Sequence, residues 1–379
     1  MGAAANVVLI DPALVGVENS TGRGGSLQPG DTAPSATFSL TLTGVKVLAN
    51  QAQGDGAGIY TASPMTATNL VVSGNTSTTN GGGMYNEGNT SITNSTFSGN
   101  KAEGGGGIFL TGANTVTISG TTLSGNRAVG GGAVSARSGV AVNLTNSTIS
   151  GNLADDVGAG YYTNSQATMR FVTIANNIAS ADSPAAGVGI NTFPSGTIAL
   201  SLKNVLLSAN KKGWDSIAEP NGPADPSSLL SANCGYTGGA SGSITSAGYN
   251  LSNDTSCTAG LNQIASDKNN VDPKLDVLAL NSPGLTQTHA LLTGSPALGA
   301  GGAVVGVTVD QRGITRDATP DIGAYEVPTP PVTPPAASGG GGGGCSVNPN
   351  AQFDGGLLGL LAAALGGLML RRRRSGARN

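Results

Sequence analysis

The stretch Ser95–Phe109 reads Ser-Thr-Phe-Ser-Gly-Asn-Lys-Ala-Glu-Gly-Gly-Gly-Gly-Ile-Phe, and its pattern of an apolar residue, two small residues and an asparagine recurs along the chain. The recurring asparagines are Asn50, Asn75, Asn100, Asn126, Asn152, Asn177 and Asn210, separated by 25, 25, 26, 26, 25 and 33 residues. Three positions before them stand the apolar residues Val47, Val72, Phe97, Leu123, Ile149, Ile174 and Leu207. A nearly constant period in the twenties is typical of a solenoid, in which each repeat stacks on its neighbour.

The residues inside one period favour β-strands over helices. Segments such as Val116–Ser119 and Val140–Leu144 are short, rich in Thr, Val, Ile and Ser, and alternate apolar with polar side chains. A coil of about 25 residues leaves room for three short strands and three bends, and equivalent strands of successive coils would pair in parallel roughly 4.8 Å apart. The sequence therefore predicts an all-β, single-stranded parallel β-helix.

The asparagines have a structural role in such a coil. Stacked at one bend, each side-chain amide can donate a hydrogen bond to the coil on one side and accept one from the other. We therefore interpret the seven asparagines as a ladder. Glycine clusters such as Gly81–Gly83 and Gly104–Gly107 follow them and suit corners with positive φ or close backbone approach. An apolar residue returns just after each cluster, which argues against a flexible glycine linker.

Composition and charge agree with one elongated domain and exclude a nucleic-acid-binding surface. The 379 residues include 61 glycines, only 10% charged residues and 4% aromatic residues. The formal net charge is −3, but five of the 18 basic residues lie in the last nine positions. Residues 1–344 carry 20 acidic and 13 basic side chains, a balance of −7. A nucleic-acid partner would require the opposite sign, so we expect none.

Two short motifs in the repeat, Gly131–Val134 (Gly-Gly-Ala-Val) and Phe97–Asn100 (Phe-Ser-Gly-Asn), recur with variations. They are similar to the two motifs of the polymorphic outer membrane protein repeats. The resemblance covers roughly residues 40–210. It implies a right-handed β-helix of the adhesin-like class.

The three cysteines are unevenly placed. Cys234 and Cys257 bracket a glycine- and serine-rich stretch with 22 residues between them, and Cys345 lies far along the chain. In an exported protein a Cys234–Cys257 disulfide is the simplest expectation. It would contribute about 3 kcal/mol on the chain-entropy account of disulfides. Two reduced, unrelated thiols are the alternative.

Residues 247–326 contain a series of ordered motifs. They are Ala-Gly-Tyr-Asn-Leu-Ser-Asn-Asp from Ala247, Asp-Pro-Lys-Leu from Asp272, Thr-His-Ala-Leu-Leu-Thr-Gly-Ser-Pro-Ala from Thr288, Asp-Gln-Arg-Gly-Ile-Thr-Arg from Asp310 and Pro-Asp-Ile-Gly-Ala-Tyr-Glu from Pro320. This series resembles the choice-of-anchor Q domain. The resemblance implies a bacterial β-helical surface protein whose anchoring signal follows this region.

The same region carries a charged cluster made of Asp310, Arg312, Arg316, Asp321 and Glu326. Such a set suits paired, partly buried ion pairs. We interpret the region as a cap, because the open end of a β-helix exposes an unpaired edge that would promote aggregation. A catalytic or calcium-binding role for the carboxylates is the alternative. The arginines favour the structural interpretation, since they neutralise the acids that a metal would need, and we expect no metal and no cofactor.

The two ends of the chain carry different signals. Met1–Ala5 lacks the basic start and apolar core of a secretory signal peptide, so we expect the printed chain to begin late or to be a fragment. At the other end, a proline- and glycine-rich spacer leads to Cys345, the apolar run Gly355–Leu370 and four arginines at Arg371–Arg374. The run predicts a short transmembrane helix with the arginines in the cytoplasm.

This arrangement of cysteine, apolar helix and arginine cluster resembles bacterial C-terminal sorting signals. The resemblance implies a sorting protease as a partner and Cys345 as the processing point. A plain membrane tether through Gly355–Leu370 is the alternative. Both interpretations place the body of the protein outside the cytoplasm.

Candidate catalytic residues are few. Glu103 and Asp155 each stand three residues after a ladder asparagine, two coils apart and therefore roughly 10 Å from one another. Together with the adjoining Asp156 they could serve a polysaccharide lyase or a glycoside hydrolase. No aromatic platform accompanies them in sequence, and solvated charges at a turn are the simpler interpretation.

The remaining functional candidates are one histidine and several aromatic residues. His289 is the only histidine, and we interpret it as structural. The aromatic residues near the glycine corners could be either exposed contacts or inward core residues; they are Tyr85, Phe109, Tyr161 and Tyr162.

We divide the chain into five parts on these grounds. They are a partial N-terminal coil or cap (1–36), the β-helix repeats (37–213), terminal coils with a cap (214–327), a linker (328–344) and the sorting signal with its transmembrane segment (345–379). The predicted protein is a non-catalytic, exported cell-surface β-helix with an adhesin-like or envelope-structural role. Its expected partners are surface polysaccharides or ligands on host or cell envelopes.

Overall fold

The computed structural model describes residues 6–9, 14–15, 18–19, 39–180, 187–193, 198–216, 218–219, 221–236, 243–259, 261–262 and 264–328. The chain divides into two compact units, Met1–Thr329 and Pro330–Asn379, and every described residue lies in the first. That unit is an all-β parallel solenoid of about 6 turns, which confirms the predicted β-helix. Cys345 and the predicted transmembrane run Gly355–Leu370 lie outside the described residues.

The described part of the chain is built from short strands. In chain order they are β1 (Asn6–Leu9), β2 (Leu14–Val15), β3 (Glu18–Asn19), β4 (Ser39–Thr43), β5 (Lys46–Leu48), β6 (Gln51–Ala52), β7 (Ile59–Thr61), β8 (Met65–Thr68), β9 (Val71–Ser73), β10 (Thr76–Ser77), β11 (Met84–Asn86), β12 (Thr90–Thr93), β13 (Thr96–Ser98), β14 (Ile108–Leu110), β15 (Thr115–Ser119), β16 (Thr122–Ser124), β17 (Arg127–Gly130), β18 (Val134–Ala136), β19 (Ala141–Ser150), β20 (Leu153–Val157), β21 (Tyr161–Thr163), β22 (Gln166–Ala175), β23 (Ile178–Ala179), β24 (Ile190–Thr192), β25 (Ala199–Lys203), β26 (Leu206–Ser208), β27 (Lys211–Lys212), β28 (Leu230–Ser231), β29 (Cys234–Tyr236), β30 (Ser243–Ser246), β31 (Leu251–Ser252), β32 (Leu261–Asn262), β33 (Lys268–Asn269), β34 (Leu275–Ala279) and β35 (Thr288–Leu291). Two short 3-10 helices, Pro226–Ser228 and Ser256–Ala259, lie among the later strands.

Three strips of parallel strands form the walls of the solenoid. An 18-stranded sheet, called the long sheet here, bends in the middle, so that β4, β8, β12 and β15 lie on its first half and β5, β9, β13 and β16 on its second. A 7-stranded sheet contains β7, β11, β14, β18, β21, β24 and β29, the strands that follow the glycine corners. The third strip consists of two groups of short strands, β3, β6 and β10 and then β17, β20, β23, β27 and β28, whose neighbours are parallel except for the antiparallel pair β27 and β28.

Strict register between coils explains the sequence period. Ile92 lies beside Ala67 on one side and Ile118 on the other, and Phe97 lies between Val72 and Leu123. All six side chains are fully buried in the core. Because neighbouring residues of a strand point to opposite faces, the alternating polar residues are left on the outside. The apolar column found in the sequence is therefore the interior of the solenoid.

Two of the bends in each coil require a left-handed backbone. The bend within the long sheet places Gly44, Asn69, Asn94, Gly120, Asn146, Phe171 and Asn204 at φ between +46° and +67°. The bend before each ladder asparagine also has a residue with positive φ. These residues are Ala49, Gly74, Gly99, Gly125, Gly151, Asn176 and Ala209. Glycine and asparagine adopt this conformation most easily, which explains why the repeat carries Ser-Gly-Asn. Phe171 is the exception, and its surroundings are described below.

The C-terminal segment, defined here as residues 271–328, lies along the side of the solenoid. It contains the antiparallel pair β34 and β35 and then has little regular structure. Its contacts are with outward residues of the long sheet: Thr122 Oγ1 donates to Gln287 O over 2.6 Å, and Ala324 N donates to Thr173 Oγ1 over 3.0 Å. The expectation that this region covers the open end is therefore wrong in its placement.

The covered strip has the composition that such docking requires. Its outward residues on successive coils are Thr122, Thr148, Thr173, Leu206 and Leu251, and all of them are buried. Threonines form hydrogen bonds to the C-terminal segment where it passes coils in the middle of the solenoid. Leucines replace them nearer the end, where they pack with Leu291, Ala297 and Ile322. The segment thus buries the side of several coils, and the last rung is formed by β32 and β33.

Candidate functional surfaces

The asparagines form a continuous buried ladder. Each side-chain Nδ2 donates to the Oδ1 of the next asparagine over 2.8–3.0 Å, from Asn50 to Asn75 and onward through Asn100, Asn126, Asn152, Asn177 and Asn210. The backbone N–H of each ladder asparagine from Asn50 to Asn177 donates to the same Oδ1, as in Asn100 N to Asn126 Oδ1 at 3.0 Å. Nδ2 donates in addition to a backbone carbonyl of the preceding coil, as in Asn126 Nδ2 to Phe97 O at 2.9 Å.

The ladder extends one rung beyond the asparagines found in the sequence. Asn210 Nδ2 donates to Asn233 Oδ1 over 2.8 Å, and Asn233 is fully buried. Sequence reasoning missed Asn233 because it ended the repeats at residue 213, although Leu230-Ser-Ala-Asn233 has the same pattern as Leu207-Ser-Ala-Asn210. Its step of 23 residues from Asn210 was the available signal.

The three candidate catalytic acids are not gathered into a site. Asp155 forms an ion pair with Arg127, with Nη2 2.7 Å and Nε 2.9 Å from Asp155 Oδ1. Glu103 is exposed at a bend, and Asp156 is exposed on β20. Of the clefts in the described part of the chain, one of about 230 Å³ lies between the bend of the long sheet and the C-terminal segment, and none of these acids lines it. The Arg127 guanidinium therefore occupies one oxygen of the Asp155 carboxylate.

Aromatic rings on the outer side of the strands that follow the glycine corners form a stack that runs along the solenoid. The rings of Tyr60 and Tyr85 are 5.3 Å apart and nearly parallel, and those of Tyr85 and Phe109 are 5.2 Å apart. Register places Ser135 next to Phe109, which would interrupt the stack. The guanidinium of Arg137 fills that gap, at 5.2 Å from the Phe109 ring.

The stack continues on the other side of Arg137. Its guanidinium lies 5.7 Å from the ring of Tyr162, whose ring stacks on Phe193 at 4.5 Å. Phe109 is almost fully buried by its neighbours, whereas Tyr85 and Tyr162 are half-buried. Tyr161 points into the core and is 1% exposed. Burial raises the pKa of both Tyr85 and Tyr161. The rings therefore present edges to solvent, while their faces contact one another, which suits a stabilising role.

The charged cluster of the C-terminal segment is internally paired. Arg312 lies 2.8 Å from Asp310, and Arg316 lies 3.0 Å from Glu326. Asp321 accepts backbone hydrogen bonds from Gly299 and Val327, each 2.7 Å long. All five side chains are buried.

Arg316 also fastens the C-terminal segment to the solenoid. Its Nη2 donates to Asn146 Oδ1 over 3.1 Å, and its guanidinium lies 3.7 Å from the centre of the Phe171 ring. This contact accounts for an aromatic residue in a left-handed bend, because the ring stacks on a buried cation that the other coils do not have. Burial raises the pKa of Glu326 and of Asp321 and lowers that of Arg316. The cost of burying these charges is offset by their mutual pairing.

His289 is buried between the C-terminal segment and the long sheet. Its Nδ1 is 2.7 Å from the carbonyl oxygen of Asp276, so Nδ1 carries the proton and donates. Nε2, 2.8 Å from Ser150 Oγ, then accepts the hydroxyl proton. Burial lowers the pKa of His289. Although a serine and a histidine are hydrogen-bonded here, Ser150 is only 3% exposed, so a substrate could not reach its hydroxyl.

The first half of the long sheet carries an exposed array that we call the hydroxyl face. Two outward positions on each of five successive strands, β4, β8, β12, β15 and the start of β19, hold hydroxyl or amide side chains. They are Thr41 and Thr43, Thr66 and Thr68, Ser91 and Thr93, Thr117 and Ser119, and Asn143 and Thr145. All ten are exposed or half-buried. On the next coils Arg170 and Lys203 replace the second member of the pair.

The two cysteines after the repeats lie together. Cys234 and Cys257 are joined by a disulfide with a Cα–Cα distance of 4.8 Å, and both side chains are buried at the edge of the core. Cys234 belongs to β29, the last strand of the 7-stranded sheet. The bond therefore ties the last rungs of the solenoid to one another.

Within the ranges given above, no three His, Cys, Asp or Glu side chains are placed to share a metal ion. No helix in that part of the chain has the length and apolar character needed to cross a membrane.

Comparison with known proteins agrees with the geometry. Neither a curated protein nor a solved structure matches the chain significantly. Residues 34–211 match a family model described as a right handed beta helix region. This match and the stacked parallel strands establish that the chain is a β-helix repeat protein, similar over those residues to the right-handed β-helix family.

Proposed function

We propose that the protein is a non-catalytic, exported β-helix of the cell surface, with an adhesin-like or envelope-structural role. The observation that carries this proposal is the distribution of polar groups on the outer faces. The hydroxyl face bears threonine, serine and asparagine, while the candidate acid Asp155 is paired with Arg127. A repetitive, uncharged and rigid surface suits contact with an extended partner, whereas hydrolysis requires free carboxylates at a fixed separation.

The proposed anchoring rests on the C-terminal sequence. This part of the chain would hold the body at the cell surface through the spacer, Cys345, the apolar run Gly355–Leu370 and the arginine cluster. It would do so either after a sorting protease has processed it near Cys345 or as an intact tether. Expression in a bacterium with a working export signal tests this step. We expect externally added protease to remove the body from intact cells, and mass spectrometry of the mature form to find a C-terminus near Cys345. Protease resistance in intact cells that is lost on lysis would contradict export to the surface.

Catalysis is tested separately on purified protein. We expect a panel of neutral and acidic polysaccharides to release neither reducing ends nor unsaturated products. Activity that disappears in Glu103→Ala and Asp155→Ala, with Thr76→Ala as a control for handling, would replace the proposal with a polysaccharide lyase or glycoside hydrolase.

A further inference from the structure

The hydroxyl face differs from every other described outer surface of the solenoid in its regularity. Ten hydroxyl or amide side chains stand in two columns over five coils, with no charged residue in either column until Arg170. The strands that carry them are paired in register without a shift. Most of the ten are threonines, whose branched Cβ restricts χ1 and keeps hydroxyl and methyl groups in fixed positions.

The backbone sets the dimensions of this array. Parallel strands in one sheet lie about 4.8 Å apart, which is the spacing within each column. Outward residues two apart on one strand are separated by about 6.6 Å, which is the spacing between the columns. The hydroxyl face is therefore a small two-dimensional lattice of hydrogen-bonding groups. A ligand that contacts several of its members at once must have a similar repeat in both directions.

Ordered water has such a repeat. Oxygen atoms joined by O–H···O hydrogen bonds are about 2.75 Å apart, and in a tetrahedral network the next-nearest oxygens are then about 4.5 Å apart. When such water molecules form stacked hexagonal layers, the layers repeat every eight thirds of the O···O distance, which is about 7.3 Å. Both values are close to the spacings of the hydroxyl face. The spacing between the columns, about 6.6 Å, is shorter than the layer repeat of about 7.3 Å. Because the face has only two columns, this difference occurs once and does not add up over several repeats.

The neighbouring strip of the same sheet shows what outward threonines of this solenoid can do. There Thr122 Oγ1 donates to Gln287 O, Thr148 Oγ1 donates to Gln311 Oε1 over 2.7 Å, and Thr173 Oγ1 accepts from Ala324 N. Stacked threonines thus engage successive groups of an opposing surface directly. The C-terminal segment covers that strip, while the ten residues of the hydroxyl face are left exposed or half-buried.

We propose that the hydroxyl face binds the surface of ice. Its hydroxyl groups would take the places of water molecules in the outermost layer, and the threonine methyl groups would occupy the spaces between them. The absence of charge from the two columns over these five coils matters, because a charged group orients water around itself and would disrupt the lattice. Ice would be a ligand of the protein displayed at the cell surface, so a role of ice binding in the cell rests on the proposed function. Its test uses purified protein, so failure here leaves the surface-display experiments unaffected.

The experiment measures ice binding by the purified full chain. We expect the protein to become enriched in ice grown slowly from a dilute solution and to depress the freezing point below the melting point. Thr66 and Thr117 are both exposed and flank the central coil, so Thr66→Tyr/Thr117→Tyr should abolish both effects by displacing the ice surface. Thr76→Tyr, at an exposed position on β10 in the third strip, is the matched control and should retain both.

The same variants are used to check that the fold is intact and to test a neutral polysaccharide as the alternative ligand. Equal urea midpoints for the parent, the double variant and Thr76→Tyr establish that the face alone has changed. Exclusion of the parent from ice would overturn the proposal, as would equal losses in the double variant and the control. Sedimentation of the parent with crystalline cellulose or chitin, absent in the double variant and without ice binding, would assign the face to a neutral polysaccharide instead.

Discussion

Replacement of Asn126 by leucine tests the asparagine ladder at its centre. Asn126 Oδ1 accepts from Asn100 N at 3.0 Å and from Asn100 Nδ2 at 2.9 Å, and Asn126 Nδ2 donates to Asn152 Oδ1 at 3.0 Å. Leucine has the same number of side-chain heavy atoms and the same branching at Cγ, but it can neither donate nor accept a hydrogen bond. The substitution therefore leaves two buried donors of Asn100 without their acceptor.

The expected cost follows from those two donors. At about 1–3 kcal/mol for each buried group left unsatisfied, Asn126→Leu should destabilise the fold by about 2–6 kcal/mol. Asn143→Leu is the matched control, because Asn143 lies half-exposed on the outer surface of a neighbouring coil, where surface substitutions change stability by about 0.5 kcal/mol or less.

Urea unfolding followed by circular dichroism measures both variants. The midpoint of Asn126→Leu should fall well below that of the parent, with a similar slope, while Asn143→Leu should remain close to the parent. Hydrogen exchange should localise the loss of protection to the coils around Asn100. Identical midpoints for Asn126→Leu and Asn143→Leu would refute the ladder as a source of stability.

Three further predictions concern the end of the solenoid and the C-terminal segment. The Cys234–Cys257 disulfide closes a loop with a sequence separation of 23 residues. Cys234→Ala/Cys257→Ala should therefore lower the unfolding free energy by about 3 kcal/mol, and a reducing agent should lower the urea midpoint of the parent but not of the variant. Arg316→Met should cost about 3–5 kcal/mol by leaving buried Glu326 uncompensated, and added Glu326→Gln should recover part of the urea midpoint; no recovery would argue against the pair. Because burial lowers the pKa of His289, the unfolded chain binds its proton first as the pH falls. The contribution of His289 should be complete above about pH 6.5 and diminish below it, so urea midpoints should fall less steeply with acid in His289→Gln than in the parent.

Local properties of the sequence were sufficient for the solenoid itself. The period of Asn75, Asn100 and Asn126 determines the coil length, and the alternation around Ile92 and Phe97 determines which side chains point inward. Both depend only on strand geometry and on the need of buried amides for partners, so they could be predicted without any long-range contact. The same reasoning missed Asn233, whose local pattern matches that of Asn210 but which lies beyond the predicted end of the repeats at residue 213.

The candidate site depended on contacts between coils that no local pattern reveals. The sequence placed Glu103 and Asp155 at equivalent turns, but only the folded chain brings Arg127 to Asp155. Similarly, Ser135 interrupts the aromatic column in the sequence, and Arg137 restores it because a long side chain can reach across two residues to the empty space. Such pairings depend on side-chain reach and rotamer, which the repeat pattern does not specify.

Only the tertiary structure decided where the C-terminal segment lies. Its motifs carry no period that matches the coils, and its hydrogen bonds join residues up to 189 positions apart, such as Thr148 with Gln311 and Thr122 with Gln311. Threonines that the sequence presents as ordinary outward residues become a binding strip because glutamine and backbone groups from that distant segment reach them. The sequence by itself determined the coil, since stacking is set by each repeat and its neighbour. Which sides of the stack are covered and which remain open was set by long-range docking, and so was the exposure of the hydroxyl face.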